Sequence, residues 1–223
     1  LADIAAETVR YSRRAVLTDD IVAPLHLARL GLVAVPSMAV RAGEVSKSFP
    51  VLERVLEFMA ASDLDRGSCL IAFGGGVVGD LGGLAASLYM RGIPVVQVPT
   101  TLLAQVDASV GGKTAVDLAA GKNLAGSFHQ PTAVFADTEA LATLADLEFR
   151  SGLGEVVKSA LIEGEEALVA LERAVSGIRA RDPDVMTGIV ARCVALKAAI
   201  VARDPTEKGE RKQLNLGHTF SHA

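Results

Sequence analysis

An apolar run at residues 69–73 leads directly into a glycine-rich segment at residues 74–80, and this junction constrains the fold more than any other part of the chain. The apolar run predicts a buried strand, so the glycines fall at a turn between a strand and a helix. Glycine lets a phosphate approach backbone N–H groups closely, and a helix N-terminus adds a favourable dipole. The sequence therefore predicts a phosphate-binding turn in an α/β domain.

Two other interpretations of this region are disfavoured by individual residues. Residues 69–90 are as apolar as a transmembrane helix, but Asp80 near the bilayer centre would cost about 2.5–3.5 kcal/mol. The segment Gly112-Lys113-Thr114 ends like an ATP-binding P-loop, yet that motif requires a glycine where Asp107 stands. We therefore expect a strand-to-helix turn that binds a nucleotide or another phosphate.

Composition narrows the class of protein. Half of the 223 residues are apolar, which allows a sizeable core, and the net charge of −4 lacks the basic character of a nucleic-acid-binding protein. Cys69 and Cys193 form no CxxC motif and lie in apolar runs, which is typical of core cysteines in a reducing compartment. Residues 1–14 show no signal-peptide pattern, so we expect a cytoplasmic protein. The absence of an initial methionine and of a final helix stop is typical of part of a longer polypeptide.

Apolar periodicity predicts two domains, with a boundary near Ala145. Residues 1–145 alternate short apolar runs with helical patterns, which indicates a Rossmann-like α/β domain with a mostly parallel sheet. Residues 146–223 predict an all-α domain, with helices over 153–171 and 183–203. Within the first domain, we expect strands near residues 15–18, 32–36, 69–73, 95–98 and 133–136, helices near 50–61, 79–90 and 101–109, and an irregular loop at 37–48.

Charged residues interrupt the apolar faces of the predicted C-terminal helices. Glu155 and Lys158 share one helical face, either as a solvated ion pair or as part of a site. Lys197 lies on an apolar stripe, four residues after Cys193, where a lysine either extends past the core edge or meets an anionic ligand.

Two histidines close the chain at helical spacing. His218 and His222 are four residues apart, which suits a metal, although Thr219 stands where an HExxH motif has its glutamate. Together with Glu155 they suggest a mixed glutamate and histidine site of the zinc type.

Seven segments together resemble the 3-dehydroquinate synthase family, and the resemblance extends from about Val16 to Ala223. The segments are residues 74–80, 89–92, 97–107, 109–114, 121–123, 154–158 and 214–219. The resemblance implies an enzyme that uses NAD and zinc or cobalt to convert 3-deoxy-D-arabino-heptulosonate 7-phosphate into 3-dehydroquinate and phosphate. The implied steps are oxidation of the C5 hydroxyl by NAD, phosphate elimination, re-reduction, ring opening and aldol closure. The implied protein is a cytoplasmic homodimer with a small sugar-phosphate substrate and no nucleic-acid or membrane partner.

The resemblance also implies which residues form the site. It implies two metal ligands, Glu155 and His218. The implied catalytic and substrate-binding residues are Arg91, Asp107, Lys113, Asn123, Lys158, Lys197, Arg211, Asn215 and His222. The implied NAD-binding residues are Asp19, Gly43, Glu44, Lys47, Gly75, Gly76, Val77, Val78, Gly79, Asp80, Thr100, Thr101, Lys113, Lys122 and Thr143. Residues 1–145 then become the NAD-binding domain, and residues 146–223 become an incomplete metal- and substrate-binding domain.

The sequence also departs from the family pattern. We expect it to lack the N-terminal hairpin and the segment that supplies a second histidine ligand, so this chain by itself should bind metal weakly or not at all. Ile21 and Ser221 replace residues common in the family. The alternatives are a related sugar-phosphate cyclase, of the 2-epi-5-epi-valiolone or deoxyinosose synthase type, or an inactive NAD-binding remnant.

Overall fold

The computed structural model describes Leu1 and residues 3–217, which divide into two compact units. The sheet unit comprises Leu1–Thr100 and Gly112–Asp137, and the helical unit comprises Thr101–Gly111 and the chain from Thr138 onward. The division differs from a single boundary near residue 145, because residues 101–111 pack with the helices that follow in the sequence. The functions predicted for the two parts stay predictions.

The sheet unit contains a five-stranded parallel sheet, which confirms the predicted fold class. Its strands are β1 (Arg14–Asp19), β2 (Ser37–Val40), β3 (Cys69–Gly74), β4 (Val95–Pro99) and β7 (Ala133–Val134), with a hairpin of β5 (Lys113–Leu118) and β6 (Gly121–Phe128) between β4 and β7 in the sequence. The helices of this unit are α1 (Asp3–Thr8), α2 (Val22–His26), α3 (Phe49–Ala61) and α4 (Gly76–Leu88). Short 3-10 turns lie at Leu27–Leu30, Glu44–Ser46 and Tyr89–Arg91.

Alternating residues of the strands pack into two cores, one on each face of the sheet. Leu17 and Ala72 belong to one core with α3 and α4, whereas Val16 and Ile71 belong to the other. Burial on both faces explains why the central strands are continuously apolar rather than alternating.

The prediction of a strand at 32–36 followed by a loop at 37–48 was wrong, because β2 begins at Ser37. Ser37 is paired with Val16 of β1, and the Val16 N–H donates to the Pro36 carbonyl at 2.9 Å. Leu32 and Val35 instead pack against one of the cores. Local apolarity therefore marked two partly buried side chains, whereas pairing with β1 decided which residues form the strand.

The β5–β6 hairpin was not predicted from the sequence, which indicated only ligand-binding residues there. Thr114 and Val116 point into the core, and β5 packs against α4. At Gly126, an added Cβ would lie 2.0 Å from the Thr114 carbonyl oxygen, so the two strands approach closely at a glycine.

The helical unit contains α5 (Asp146–Glu163), α6 (Glu165–Arg173), α7 (Val175–Ala180) and α8 (Pro183–Arg203), with 3-10 helices at Thr138–Thr143 and Glu210–Asn215. Gly164, at φ 119°, ends α5 and divides the single helix predicted over 153–171. The helix predicted over 101–109 contains a π-helix at Ala104–Ala108. By length and composition alone α8 could cross a membrane, but its apolar stripe packs into the core of this unit.

Candidate functional site

A crevice in the sheet unit lies where the order of the strands reverses. The strand order is β2-β1-β3-β4-β7, so the chain leaves β1 toward one edge and leaves β3 toward the other. Open α/β sheets bind ligands at this point, beyond the carboxyl ends of the strands. Asp19 ends β1 and Gly74 ends β3, and a Cβ added to Gly74 would lie 3.1 Å from Asp19 Oδ2. The same Cβ would lie 2.6 Å from Val78 Cγ2, so glycine at position 74 avoids a clash with α4 and leaves this crevice free of a side chain.

The glycines that follow have two different roles. Gly75 precedes α4, whose first-turn N–H groups lack partners within the helix and favour an anion. Gly79 instead faces the sheet, because its carbonyl accepts from Gln97 Nε2 at 3.0 Å and an added Cβ would lie 2.8 Å from Gln97 Oε1. The geometry of Gly79 is that of close helix packing, and its predicted contact with a cofactor stays a prediction.

Two buried hydroxyl groups also lie at the carboxyl ends of the strands. Oγ1 of Thr18, in β1, and of Thr100, which follows β4, have no hydrogen-bond partner among the described residues. The Thr100 N–H donates to the Gly74 carbonyl at 2.9 Å, which ties this residue to the glycine turn. A buried polar atom without a partner requires an explanation, and a polar ligand in the crevice supplies one. Thr18 was missed by the sequence analysis because a threonine in an apolar strand gives no signal there.

Lys47 connects several of the predicted site residues of the sheet unit. It is 5% exposed, its Nζ lies 2.7 Å from Asp80 Oδ2, and it donates to Asn123 Oδ1. Its carbonyl accepts from the Asp117 N–H at 2.8 Å. Lys122 Nζ lies 3.5 Å from Glu44 Oε1 nearby. The structure therefore brings together residues predicted separately for NAD and for the substrate.

The helical unit has a cluster of charged side chains around Asp107, which lies in the π-helix and is partly exposed. Asp107 Oδ1 is 2.8 Å from Lys197 Nζ and 3.7 Å from Lys158 Nζ, and Lys158 also pairs with Glu155. Lys197 additionally donates to the Asp107 carbonyl at 2.6 Å. Both lysines are less than a tenth exposed. The ion pair of Glu155 and Lys158 is thus largely buried rather than solvated, and Lys197 does not extend past the core edge.

Burial lowers the pKa of the Lys197 ammonium, and Asp107 opposes this effect. Lys158 and Arg211 are nearby cations that lower this pKa further. Arg211 is 1% exposed and donates to the carbonyls of Gly111 and Pro205 at 2.9 and 2.7 Å. This unit therefore holds three buried cations beside two partly buried carboxylates, and an anionic ligand would balance the excess positive charge.

The remaining predicted residues are more dispersed. Arg91 and Lys113 are exposed, Arg91 at a left-handed φ of 68°. Asn215 is exposed and donates to Glu207 at 2.6 Å. The others lie as follows: Gly43 before the Glu44–Ser46 turn, Gly76, Val77 and Val78 in the first turn of α4, Thr101 before the π-helix, and Thr143 in the Thr138–Thr143 turn.

The predicted metal site is described in part. Glu155 lies in α5, whereas His218 and His222 fall outside the described residues. Within the part of the chain that the structure describes, no three histidine, cysteine or acidic side chains gather as metal ligands would.

Comparison with protein families decides the relationship of this chain. Residues 37–151 match the model of the 3-dehydroquinate synthase N-terminal domain, and residues 152–223 match that of the C-terminal domain. The chain belongs to the 3-dehydroquinate synthase family. The resemblance found in the sequence is thereby confirmed.

Individual relatives agree with this family. The chain is 48% identical over 224 residues to a 3-dehydroquinate synthase of Ruegeria sp. (strain TM1040), covering 98% of this chain and 60% of that protein. Among solved structures, 2-epi-5-epi-valiolone synthase from Streptomyces hygroscopicus subsp. jinggangensis 5008, with NAD+ and Zn2+ bound, has a TM-score of 0.85 at 31% identity over 95% of this chain and 61% of that one. A 2-deoxy-scyllo-inosose synthase complexed with carbaglucose-6-phosphate, NAD+ and Co2+ has a TM-score of 0.81 at 27% identity over 96% and 59%. The chain thus spans about three fifths of the length of each of these three proteins.

Proposed function

We propose that the protein that carries this chain is a 3-dehydroquinate synthase, which converts 3-deoxy-D-arabino-heptulosonate 7-phosphate into 3-dehydroquinate and phosphate. The observation that carries the proposal is the pair of buried lysines, Lys158 and Lys197, around Asp107 in a chain of this family. Buried charges are costly unless they are paired, and a module that only bound NAD would have no use for them in its helical unit.

NAD is the proposed cofactor of the sheet unit. The crevice between β1 and β3 fits a dinucleotide, because Gly74 leaves it open, the N-terminus of α4 follows, and the Thr100 hydroxyl is buried beside it. When bound, NAD would supply reversible hydride acceptance at the C5 carbon of the substrate. Asp19 and Gly75 are the other residues proposed to hold it. Two relatives were solved with NAD+ bound, which supports this assignment.

A divalent metal is the second proposed cofactor. The described residues fit it through one ligand, Glu155, whose carboxylate is a suitable zinc donor and already faces the Lys158 ammonium. His218 is the proposed second ligand. When bound, Zn2+ or Co2+ would act as a Lewis acid on the substrate hydroxyl.

The chain's own residues are proposed to bind and orient the anionic substrate. Lys158, Lys197 and Arg211 would balance its negative charge, and Asp107 would hold the two lysines and accept hydrogen bonds from substrate hydroxyls. The family pattern assigns the same kind of role to Arg91, Lys113, Asn123, Asn215 and His222. The proposal includes a cytoplasmic homodimer, as expected from the family.

The second candidate is a cyclase that acts on another sugar phosphate. It is favoured by the likeness to 2-epi-5-epi-valiolone synthase, but that identity is 31%, against 48% for a 3-dehydroquinate synthase. An inactive NAD-binding remnant is the third alternative.

Phosphate release by the full-length protein, with NAD and Zn2+, tests these candidates. We expect release from the heptulosonate phosphate and little from sedoheptulose 7-phosphate or glucose 6-phosphate. Release from sedoheptulose 7-phosphate or glucose 6-phosphate alone would favour the second candidate. No release from any of the three substrates would favour the inactive remnant.

Two substitutions test the roles of individual residues. Lys113→Ala should lower turnover strongly while NAD binding stays measurable, and substitution of His218 should abolish zinc retention.

A further inference from the structure

The β5–β6 hairpin contains a bulge opposite Asp117. Val116 pairs with Ala125, and Leu118 pairs with Gly121, so residues 122–124 of β6 lie opposite a single residue of β5. Extra residues in a bulge lose their ladder partners, and bulges redirect side chains near functional sites. In this bulge Asn123 adopts a left-handed conformation, with φ 58°. Asparagine tolerates that conformation better than most residues, but the conformation still needs support from its surroundings.

Asp117 supplies this support through its side chain and its backbone. Its Oδ1 accepts from the Asn123 N–H at 2.7 Å, which satisfies a donor that the bulge removes from the ladder. Its own N–H donates to the Lys47 carbonyl at 2.8 Å. The Lys47 ammonium in turn donates to Asn123 Oδ1 and lies 2.7 Å from Asp80 Oδ2. Asn123 is therefore held at its backbone by Asp117 and at its amide by Lys47.

We infer that Asp117 is a positioning residue of the proposed reaction, which fixes the Asn123 amide in the orientation that binds a substrate oxygen. The inference rests on the proposed function for the role of Asn123. An ionised carboxylate is a strong acceptor for a backbone N–H, so it opposes relaxation of the left-handed backbone. The ion pair of Lys47 and Asp80 does not involve the Asp117 side chain, so NAD binding should be preserved when that side chain is removed.

The test compares Asp117→Ala, Asp117→Asn and Asn123→Ala in the full-length protein with NAD and Zn2+. We expect Asp117→Ala to raise KM for the heptulosonate phosphate about tenfold, with a smaller effect on kcat and an unchanged Kd for NAD. Asp117→Asn keeps an acceptor oxygen and should stay within about threefold of wild type in kcat/KM. Leu118→Ala is the matched control, because this neighbour is partly exposed and contributes no side chain to the network.

A double mutant separates positioning from a general structural effect. If Asp117 acts through Asn123, adding Asp117→Ala to Asn123→Ala should change kcat/KM by less than about threefold. If Asp117→Ala lowered kcat/KM as much in the Asn123→Ala protein as in wild type, the inference would be overturned. An unchanged KM in the single variant Asp117→Ala would overturn it as well.

Amide hydrogen exchange tests the positioning without any activity. Asp117→Ala should accelerate exchange in the peptide around Asn123, and Asp117→Asn should not. Equal exchange in both variants would refute the inference. If the wild-type protein released no phosphate while exchange behaved as expected, the proposed function would fail and the positioning of Asn123 would stand.

Discussion

The candidate site of the sheet unit and that of the helical unit consist of different chemical groups. In the sheet unit the crevice is formed mainly by backbone, with a glycine at the end of β3, the N-terminus of α4 and hydroxyls at the ends of strands. In the helical unit the cluster consists of charged side chains that are paired with one another, centred on Asp107. A backbone site depends on close packing between elements, whereas a site of buried charges depends on each charge keeping its partner. The two units should therefore be sensitive to different substitutions.

The chain contains two cysteines, one in each unit, so the reactivity of each cysteine can report on the opening of its own unit. Burial raises the pKa of the Cys69 thiol to about 12 and also raises the pKa of the Cys193 thiol. Both are buried and unreactive until the surrounding structure opens. Thiol labelling in the native protein thus measures the opening of each unit separately.

The largest expected effect is that of Asp107→Ala. The substitution leaves Lys197 buried without its main counter-charge, which should destabilise the helical unit by about 3 kcal/mol. Labelling of Cys193 should become about 100-fold faster, while labelling of Cys69 should stay nearly constant. Adding Lys197→Met removes the unpaired charge and should restore part of the lost stability. Unchanged labelling of Cys193 in Asp107→Ala would mean that the charge cluster does not stabilise this unit.

A smaller effect is expected from Gly82→Ala in α4. The added Cβ would lie 2.9 Å from the Ala72 Cβ in β3, so we expect the sheet unit to lose about 2 kcal/mol through overpacking. The measurement is the labelling rate of Cys69, which should increase. Gly188→Ala in α8 is the matched control and is followed by the labelling rate of Cys193 in the same helix, since an added Cβ there meets nothing within 4 Å. This control should gain up to about 1 kcal/mol from helix propensity, and a similar loss in both variants would argue against close packing of α4.

The smallest effect is a pH dependence that involves one proton on Lys197, which faces Asp107, Lys158 and Arg211. The pKa of Lys197 in the folded protein lies below its ordinary value of 10.5, because burial disfavours the charged form. At a pH between the folded pKa and 10.5, Lys197 keeps its proton in the unfolded chain but loses it in the folded protein. The free energy of unfolding should therefore rise with pH over this interval. Urea unfolding at about pH 7 and about pH 9.5 should show this rise in wild type relative to Lys197→Met. A constant difference between the two proteins would contradict it.

The accuracy of the sequence analysis differed along the chain for physical reasons. The strand at 69–73 and the turn that follows were predicted correctly, because burial on both faces and the glycine run are both local signals. The strand at 32–36 was wrong because pairing with β1, rather than local apolarity, defines β2. The hairpin was missed because β5 has no alternating pattern, since its residues 114–116 are buried in succession between a lysine and an aspartate.

For the candidate sites, the sequence supplied residue types and the structure supplied partners. Periodicity placed Lys197 on a buried stripe, but its partner Asp107 lies 90 positions away and could not be identified from spacing. Asp117 was missed for a different reason, because it lies in β5 only six positions before its partner Asn123 and the sequence does not show that the two meet. Such contacts depend on the bulge and on the conformation of Asn123, which have no periodic signal.

By itself, the sequence determined the α/β and helical halves, the family and the glycine turn between β3 and α4, since these depend on local glycine, charge and apolar patterns. Only the tertiary structure decided that β1 and β3 form the crevice, that residues 101–111 join the helical unit, and that Asp107 pairs with two lysines. The physical reason is that periodicity shows which face of a helix or strand is buried, whereas only tertiary packing determines which other residues contact that face.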